Sequence, residues 1–67
     1  MFPNLEAEQA RSGHTNAFVA EKLRISRQNY EHKKRKSGDF KLKEVETLLK
    51  MYNAEFGYLF STDAQSA

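Results

Sequence analysis

The chain has 67 residues, no cysteine and a formal net charge of +2. This length allows one domain with one small core, and the absence of cysteine excludes disulfides and thiolate zinc sites as supports for it. The apolar runs are only a few residues long, so no segment is predicted to cross a membrane. The N-terminal MFPNLEAEQ has no cationic region followed by an apolar stretch, as a signal peptide would, and we expect a cytoplasmic protein without a cofactor or metal.

The charges are distributed unevenly along the chain. Between Lys22 and Lys43 there are nine cations and two anions, which gives this segment a net charge of +7. The rest of the chain has two cations and seven anions, which gives a net charge of −5. A basic segment between acidic flanks favours a surface that binds a polyanion. The alternative is a solvated charged surface with no partner.

Capping residues predict three helices in the first half of the chain. The first begins at Asn4 and ends at Gly13, which readily adopts the left-handed conformation found just past a helix. The second begins at the N-cap Thr15. Ile25 is an apolar residue in the connection, and Ser26 is the N-cap of the third helix. This connection is too short for an antiparallel hairpin and favours a crossed pair of helices, the helix-turn-helix.

Two further helices are predicted in the second half. The fourth runs from about Leu42 to Tyr52 and ends at Asn53, and a short fifth helix carries Phe56, Leu59 and Phe60. The side chains expected to face the core from the second, third and fourth helices are Val19, Ala20, Leu23, Tyr30, Leu42, Val45, Leu48, Leu49 and Tyr52. Because no period-two alternation indicates a strand, the predicted fold class is all-α, a compact five-helix bundle. The predicted domain spans residues 1–60, and residues 61–67 are predicted to be a disordered polar tail.

The segment NAFVAEKLRISRQNY, with NLEAEQARSGHT before it and LKEVETLLKMYNAEFGYLF after it, resembles the Cro and phage-repressor class of helix-turn-helix regulators. The resemblance covers roughly Leu5 to Phe60 and depends on the order and spacing of its parts. It implies a lambda-repressor-like DNA-binding domain whose helix-turn-helix is formed by helices 2 and 3. It also implies a transcriptional regulator, a repressor of prophage or bacterial genes, that binds a two-fold operator on double-stranded DNA as a dimer.

The resemblance also implies a role for individual residues. The front of the third helix would read base edges, because Arg can bind guanine and Gln or Asn can bind adenine through two hydrogen bonds each. The implied base-reading residues are Ser26, Arg27, Gln28, Asn29 and His32. The implied phosphate contacts are Asn16, Lys33, Lys34, Lys36, Lys41 and Lys43. The implied dimer interface consists of Phe40, Ala54, Phe56 and Tyr58, which would form a weak homodimer that is strengthened on DNA.

Two positions depart from the usual pattern of this class. Arg24 stands where a glycine often takes the left-handed position of the turn, which costs about 1–2 kcal/mol for another residue. Gln9 faces Lys34 where the class usually has an arginine–glutamate bridge between the first and third helices. The first departure concerns the geometry of the turn, and the second concerns the packing of the third helix.

Other functions are weighed against this interpretation. Cations at the end of a helix can offset the helix dipole, but this accounts for only one or two of them. A protein-interaction module of the same fold, such as an antitoxin with DNA binding secondary, is the alternative function. No catalytic triad spacing, glycine-rich phosphate loop or apolar carboxylate pair is present, so no enzyme activity and no small-molecule ligand are expected.

Overall fold

The computed structural model describes residues 2–35 and 40–62, and in these residues the protein is all-helical. The described residues form five helices and no strand, which confirms the predicted all-α class. The helices are α1 (Pro3–Arg11), α2 (Asn16–Leu23), α3 (Arg27–Arg35), α4 (Leu42–Tyr52) and α5 (Phe56–Leu59). None of the described helices is long and apolar enough to span a membrane. The phosphate contact predicted at Lys36 and residues 63–67 of the predicted tail lie outside the described residues.

The helices begin at side-chain caps in two of the three predicted places. Thr15 Oγ1 accepts the Phe18 amide at 3.1 Å, and Ser26 Oγ accepts the Asn29 amide at 3.1 Å. The prediction that Asn4 caps α1 is wrong, because the helix begins at Pro3, whose fixed φ suits a first helical position. Asn4 is instead buried within α1, and its Nδ2 donates to the Tyr58 carbonyl at 2.9 Å, which joins α1 to α5.

Three residues with positive φ follow the ends of helices. Gly13 has a φ of 72° after α1, and Asn53 has a φ of 48° after α4, both in the left-handed region as predicted. Arg24 has a φ of 61°, so the turn after α2 keeps the left-handed position without a glycine. The Ile25 amide donates to the Ala20 carbonyl at 3.0 Å and closes this turn, so Ser26 can begin α3 two residues later.

The apolar core is small and draws on every helix. Its buried members are Phe2, Leu5, Val19, Ala20, Leu23, Tyr30, Leu48, Tyr52 and Leu59. Leu42 was predicted to face this core, but it is 73% exposed. The inner face of α4 continues from Leu48 to Glu44, one turn earlier, and Leu42 lies off that face. Glu44 is buried there because its Oε1 accepts both the Lys41 amide and Lys33 Nζ at 3.0 Å.

The ammonium group of Lys34 lies inside the domain, and only 5% of the residue is exposed. Its Nζ lies 2.8 Å from Asn16 Oδ1, 2.9 Å from Glu6 Oε2 and 3.3 Å from Gln9 Oε1. A lysine ammonium has three N–H donors, so each of them has an acceptor. This lysine therefore joins α3 to both α1 and α2.

Gln9 connects the same group to the apolar core. Its Oε1 also accepts the Tyr30 hydroxyl at 2.7 Å, and its Nε2 donates to Asn16 Oδ1 at 2.8 Å. Burial raises the pKa of the Tyr30 phenol far above its usual value, so the hydroxyl remains protonated and donates. Lys34 Nζ also lies 4.7 Å from the centre of the Tyr30 ring. We call Glu6, Gln9, Asn16, Tyr30 and Lys34 the buried polar network, and among the described residues no buried side-chain nitrogen or oxygen lacks a partner.

Replacing Lys34 tests whether this network stabilises the fold. Lys34→Met keeps most of the volume but removes the donor to Gln9 and Asn16, so we expect the unfolding free energy to fall by about 1–3 kcal/mol. Lys43→Met is the matched control at an exposed position, and its effect should stay within about 0.5 kcal/mol. Urea unfolding followed by circular dichroism measures both changes. Equal stability of the two variants would contradict the role assigned to Lys34.

Candidate nucleic-acid interface

The outward face of α3 carries the residues predicted to read bases. Ser26, Arg27, Gln28, Asn29 and His32 are all exposed. Their exposure follows from the helical period, since Tyr30 and Lys34 lie one turn apart and occupy the buried face. The structure therefore brings all five predicted base readers to the outer side of one helix end.

A shallow groove lies along this face. It is lined by Gln28, Asn29, Glu31, His32 and Arg35. Glu31 and Arg35 were not among the predicted site residues. Helical spacing could have identified both, because Arg27, Glu31 and Arg35 follow one another at intervals of four residues.

Arg27 is held on this face by an ion pair. Its Nη1 donates to Glu31 Oε2 at 2.9 Å, while its side chain remains 58% exposed. Asn16 Nδ2 donates to the same carboxylate oxygen at 3.0 Å. The hydrogen bond from Asn16, and then that from Arg27, lower the pKa of the Glu31 carboxyl. The face therefore contains one fixed negative charge among its polar and cationic groups.

The predicted phosphate contacts divide into inward and outward side chains. Lys34 belongs to the buried polar network, and the amide of Asn16 is bonded to Gln9, Lys34 and Glu31 through both its oxygen and its nitrogen. Lys33 is mostly buried and pairs with Glu44 at 3.0 Å. For these three side chains the geometry favours contacts within the protein over contacts with a phosphate.

Lys41 and Lys43 are exposed at the start of α4. The backbone amide of Lys41 donates to Glu44 and begins the helix, but its side chain lies on the surface. Arg24 in the turn and Arg35 at the end of α3 are also exposed. These four cations lie in the turn before α3, at the end of α3 and at the start of α4, and three of the described elements therefore contribute positive charge to the surface.

Aromatic rings form a chain at the predicted dimer interface. The ring of Phe56 stacks on that of Phe60 with centroids 5.3 Å apart, and Phe60 lies 5.5 Å from Phe40. Phe40 also lies 5.9 Å from Phe2 of the core, and it is partly buried. Phe56 is 60% exposed, so it is the outer end of this chain.

The other two predicted interface residues are more restricted. Ala54 is partly buried against the core. Tyr58 is exposed, but its hydroxyl donates to Glu8 Oε2 at 2.8 Å. This bond raises the pKa of Tyr58 and is the main cause of the lowered pKa of Glu8. Tyr58 therefore has a structural bond within the protein, whereas Phe56 presents most of its ring to the outside.

The candidate interface thus consists of polar side chains on α3, with cations in the preceding turn, at the end of α3 and at the start of α4. Among the described residues, no group of three or more His, Cys, Asp or Glu side chains is placed to hold a metal ion. Comparison with known proteins gives no match at a significant level, either to a protein-family model, to a curated protein or to a solved structure.

Proposed function

We propose that this protein is a sequence-specific regulator of transcription that binds double-stranded DNA through α3. The proposal depends mainly on one observation. Arg27, Gln28, Asn29 and His32 are exposed together on a helix whose opposite side is fixed by the buried polar network. In this proposal α2 and α3 form a helix-turn-helix of the Cro and phage-repressor type. Repression by blocking a promoter is the simplest mechanism for a domain of this size.

The chemistry of the exposed residues suits the major groove of DNA. An arginine can donate to O6 and N7 of guanine, and a glutamine or asparagine can bind N6 and N7 of adenine. The groove is wide enough to admit an α-helix. Arg27 and Gln28 lie in the first turn of α3, which is the part that a recognition helix directs at the bases.

Phosphate contacts hold such a domain in register on the duplex. Lys41 and Lys43 are the predicted contacts whose side chains are exposed, and the exposed Arg35 joins them in the proposal. The first backbone amides of α2, at Asn16 and Ala17, have no acceptor within the helix and suit a phosphate oxygen. Asn16 thus keeps its predicted phosphate role through its backbone, while its side chain serves the interior.

A single α3 reads only a few base pairs, so the proposed active form is a dimer on a two-fold operator. The exposed ring of Phe56 is the proposed centre of a modest interface between copies, with Phe40, Ala54 and Tyr58 around it. The free homodimer would be weak, and DNA would strengthen it because both half-sites hold the subunits together.

One observation favours the alternative, a protein-interaction module. Leu42 and Phe56 are both large apolar side chains with more than half of their surface exposed. Two isolated apolar side chains are common on protein surfaces, so this observation alone does not outweigh the α3 face. Binding to random duplex DNA distinguishes the functions, since a module dedicated to protein partners would bind weakly and with a shallow salt dependence.

Selection of bound sites from a random duplex pool tests the base readers. We expect Arg27→Ala and Gln28→Ala each to lose about 1–3 kcal/mol on the selected site and to relax the preference at one base position. Lys50→Ala, exposed at the far end of α4, is the control and should keep the preference. If both α3 variants discriminate as well as the wild type, α3 is not the reading helix.

Salt dependence tests the phosphate contacts. Lys41→Ala and Lys43→Ala should weaken binding to every duplex alike, and each should reduce the slope of log affinity against log salt by about 0.9. Lys50→Ala again serves as the control, because it removes the same charge from the same helix. Titrations at a series of salt concentrations give the slopes, and slopes equal to that of Lys50→Ala would remove these two lysines from the interface.

Substitution of Phe56 tests the proposed dimer. Phe56→Asp places a charge at the centre of the apolar contact, and we expect it to abolish cooperative binding to a full operator while binding to a half-site remains. Phe56→Leu keeps an apolar side chain and should retain most of the cooperativity. Sedimentation together with footprinting on full and half operators measures both properties. Cooperative binding by Phe56→Asp would place the contact between subunits elsewhere.

A further inference from the structure

Glu31 is the only anion in α3, and it lies on the face proposed to meet DNA. Its Oε2 accepts from Arg27 Nη1 at 2.9 Å and from Asn16 Nδ2 at 3.0 Å. Asn16 is itself fixed by Gln9 and Lys34, each at 2.8 Å from its Oδ1. The carboxylate is therefore attached to the interior through Asn16, unlike an ordinary surface glutamate that moves with the solvent.

The carboxylate also keeps its charge where it lies. Hydrogen bonds from Asn16 and Arg27 lower the pKa of Glu31, so it is ionised at neutral pH. A fixed negative charge on such a face opposes the approach of phosphates. Its position requires an explanation if the face binds a polyanion.

We propose that Glu31 determines specificity on this face, by holding Arg27 in place for base reading and by repelling DNA that offers no base contact in return. The inference rests on the proposed function and deepens it. It assigns a role to a residue that is neither a base reader nor a phosphate contact.

Arg27 remains able to bind a base while Glu31 holds it. A guanidinium has five N–H donors, and the contact with Glu31 uses one of them, at Nη1. A two-bond contact with guanine needs two more, and 58% of the side chain is exposed. Because Arg27 is already ordered before binding, it loses less conformational freedom on a base than a mobile arginine would.

The repulsion acts differently on the two kinds of DNA. On a cognate site, base contacts from Arg27 and Gln28 offset the cost of bringing Glu31 near the duplex. On random DNA only the phosphate attraction remains, and Glu31 reduces it. The carboxylate therefore lowers non-specific affinity more than specific affinity, and it raises the ratio between them.

Two substitutions separate the charge from the positioning. Glu31→Gln is neutral, but its amide oxygen can still accept from Arg27 and Asn16. We expect it to bind a random duplex about tenfold more tightly than the wild type does, and a selected half-site less than threefold more tightly, so that the ratio falls. Glu31→Ala removes the acceptor as well, and it should bind the half-site more weakly than Glu31→Gln while binding random DNA equally well.

Glu55→Gln is the matched control, because it removes the same charge from an exposed residue before α5. It should change both affinities by the same small factor, and half-site duplexes keep dimer formation out of the comparison. In the DNA-free protein, ¹⁵N relaxation of the Arg27 Nε–H group should show an ordered side chain in the wild type and a mobile one in Glu31→Ala. This measurement does not depend on any DNA activity.

The outcomes distinguish this inference from the proposed function. If the wild type does not prefer a selected site to random DNA, the proposed function fails. If the wild type does prefer it and Glu31→Gln keeps the same ratio, only the role of Glu31 is overturned. Equal mobility of Arg27 in the wild type and in Glu31→Ala would overturn the positioning part.

Discussion

The structure depends on the pairing of one buried charge, the ammonium group of Lys34. Removing such a group from water costs several kcal/mol, and this cost is offset only where each of its hydrogens meets an acceptor. Glu6 and Gln9 of α1 and Asn16 of α2 supply the three acceptors. A different arrangement of the first three helices would leave the charge unpaired. The network therefore fixes the orientation of α3, and with it the direction in which its exposed side chains point.

The network also changes the meaning of the basic segment. The sequence places nine cations between Lys22 and Lys43, and they were interpreted together as a surface for a polyanion. Two of them serve the fold instead, since Lys34 is buried and Lys33 pairs with Glu44 to join α3 to α4. Net charge along a sequence thus predicts the sign of a surface better than it predicts which cations lie on it. In the proposed complex the phosphate contacts come from fewer lysines, and from the start of α4 more than from the end of α3.

Local signals in the sequence predicted most of the helix boundaries, because caps and left-handed residues act within a few positions of the chain. Thr15 and Ser26 cap as expected, and α4 has the predicted bounds Leu42–Tyr52. The errors concern residues whose roles are set by distant neighbours. Asn4 resembles a cap, but its partner is the carbonyl of Tyr58, 54 positions away. Lys34 resembles its solvated neighbours in the basic run, and only its spacing of four residues from Tyr30 indicated that it faces inward.

The polarity of the contact between α1 and α3 connects the interior to the proposed DNA-binding face. In the class that the sequence resembles, the anion of this bridge lies on the third helix, whereas here α3 contributes the cation Lys34 and α1 contributes Glu6. This reversal leaves Glu31 as the only negative charge of α3. A recognition helix without any anion would attract every phosphate equally, and attraction to phosphates carries no sequence information. Because Asn16 hydrogen-bonds to both Lys34 and Glu31, the residue that helps to pair the buried cation also fixes the anion that limits non-specific attraction.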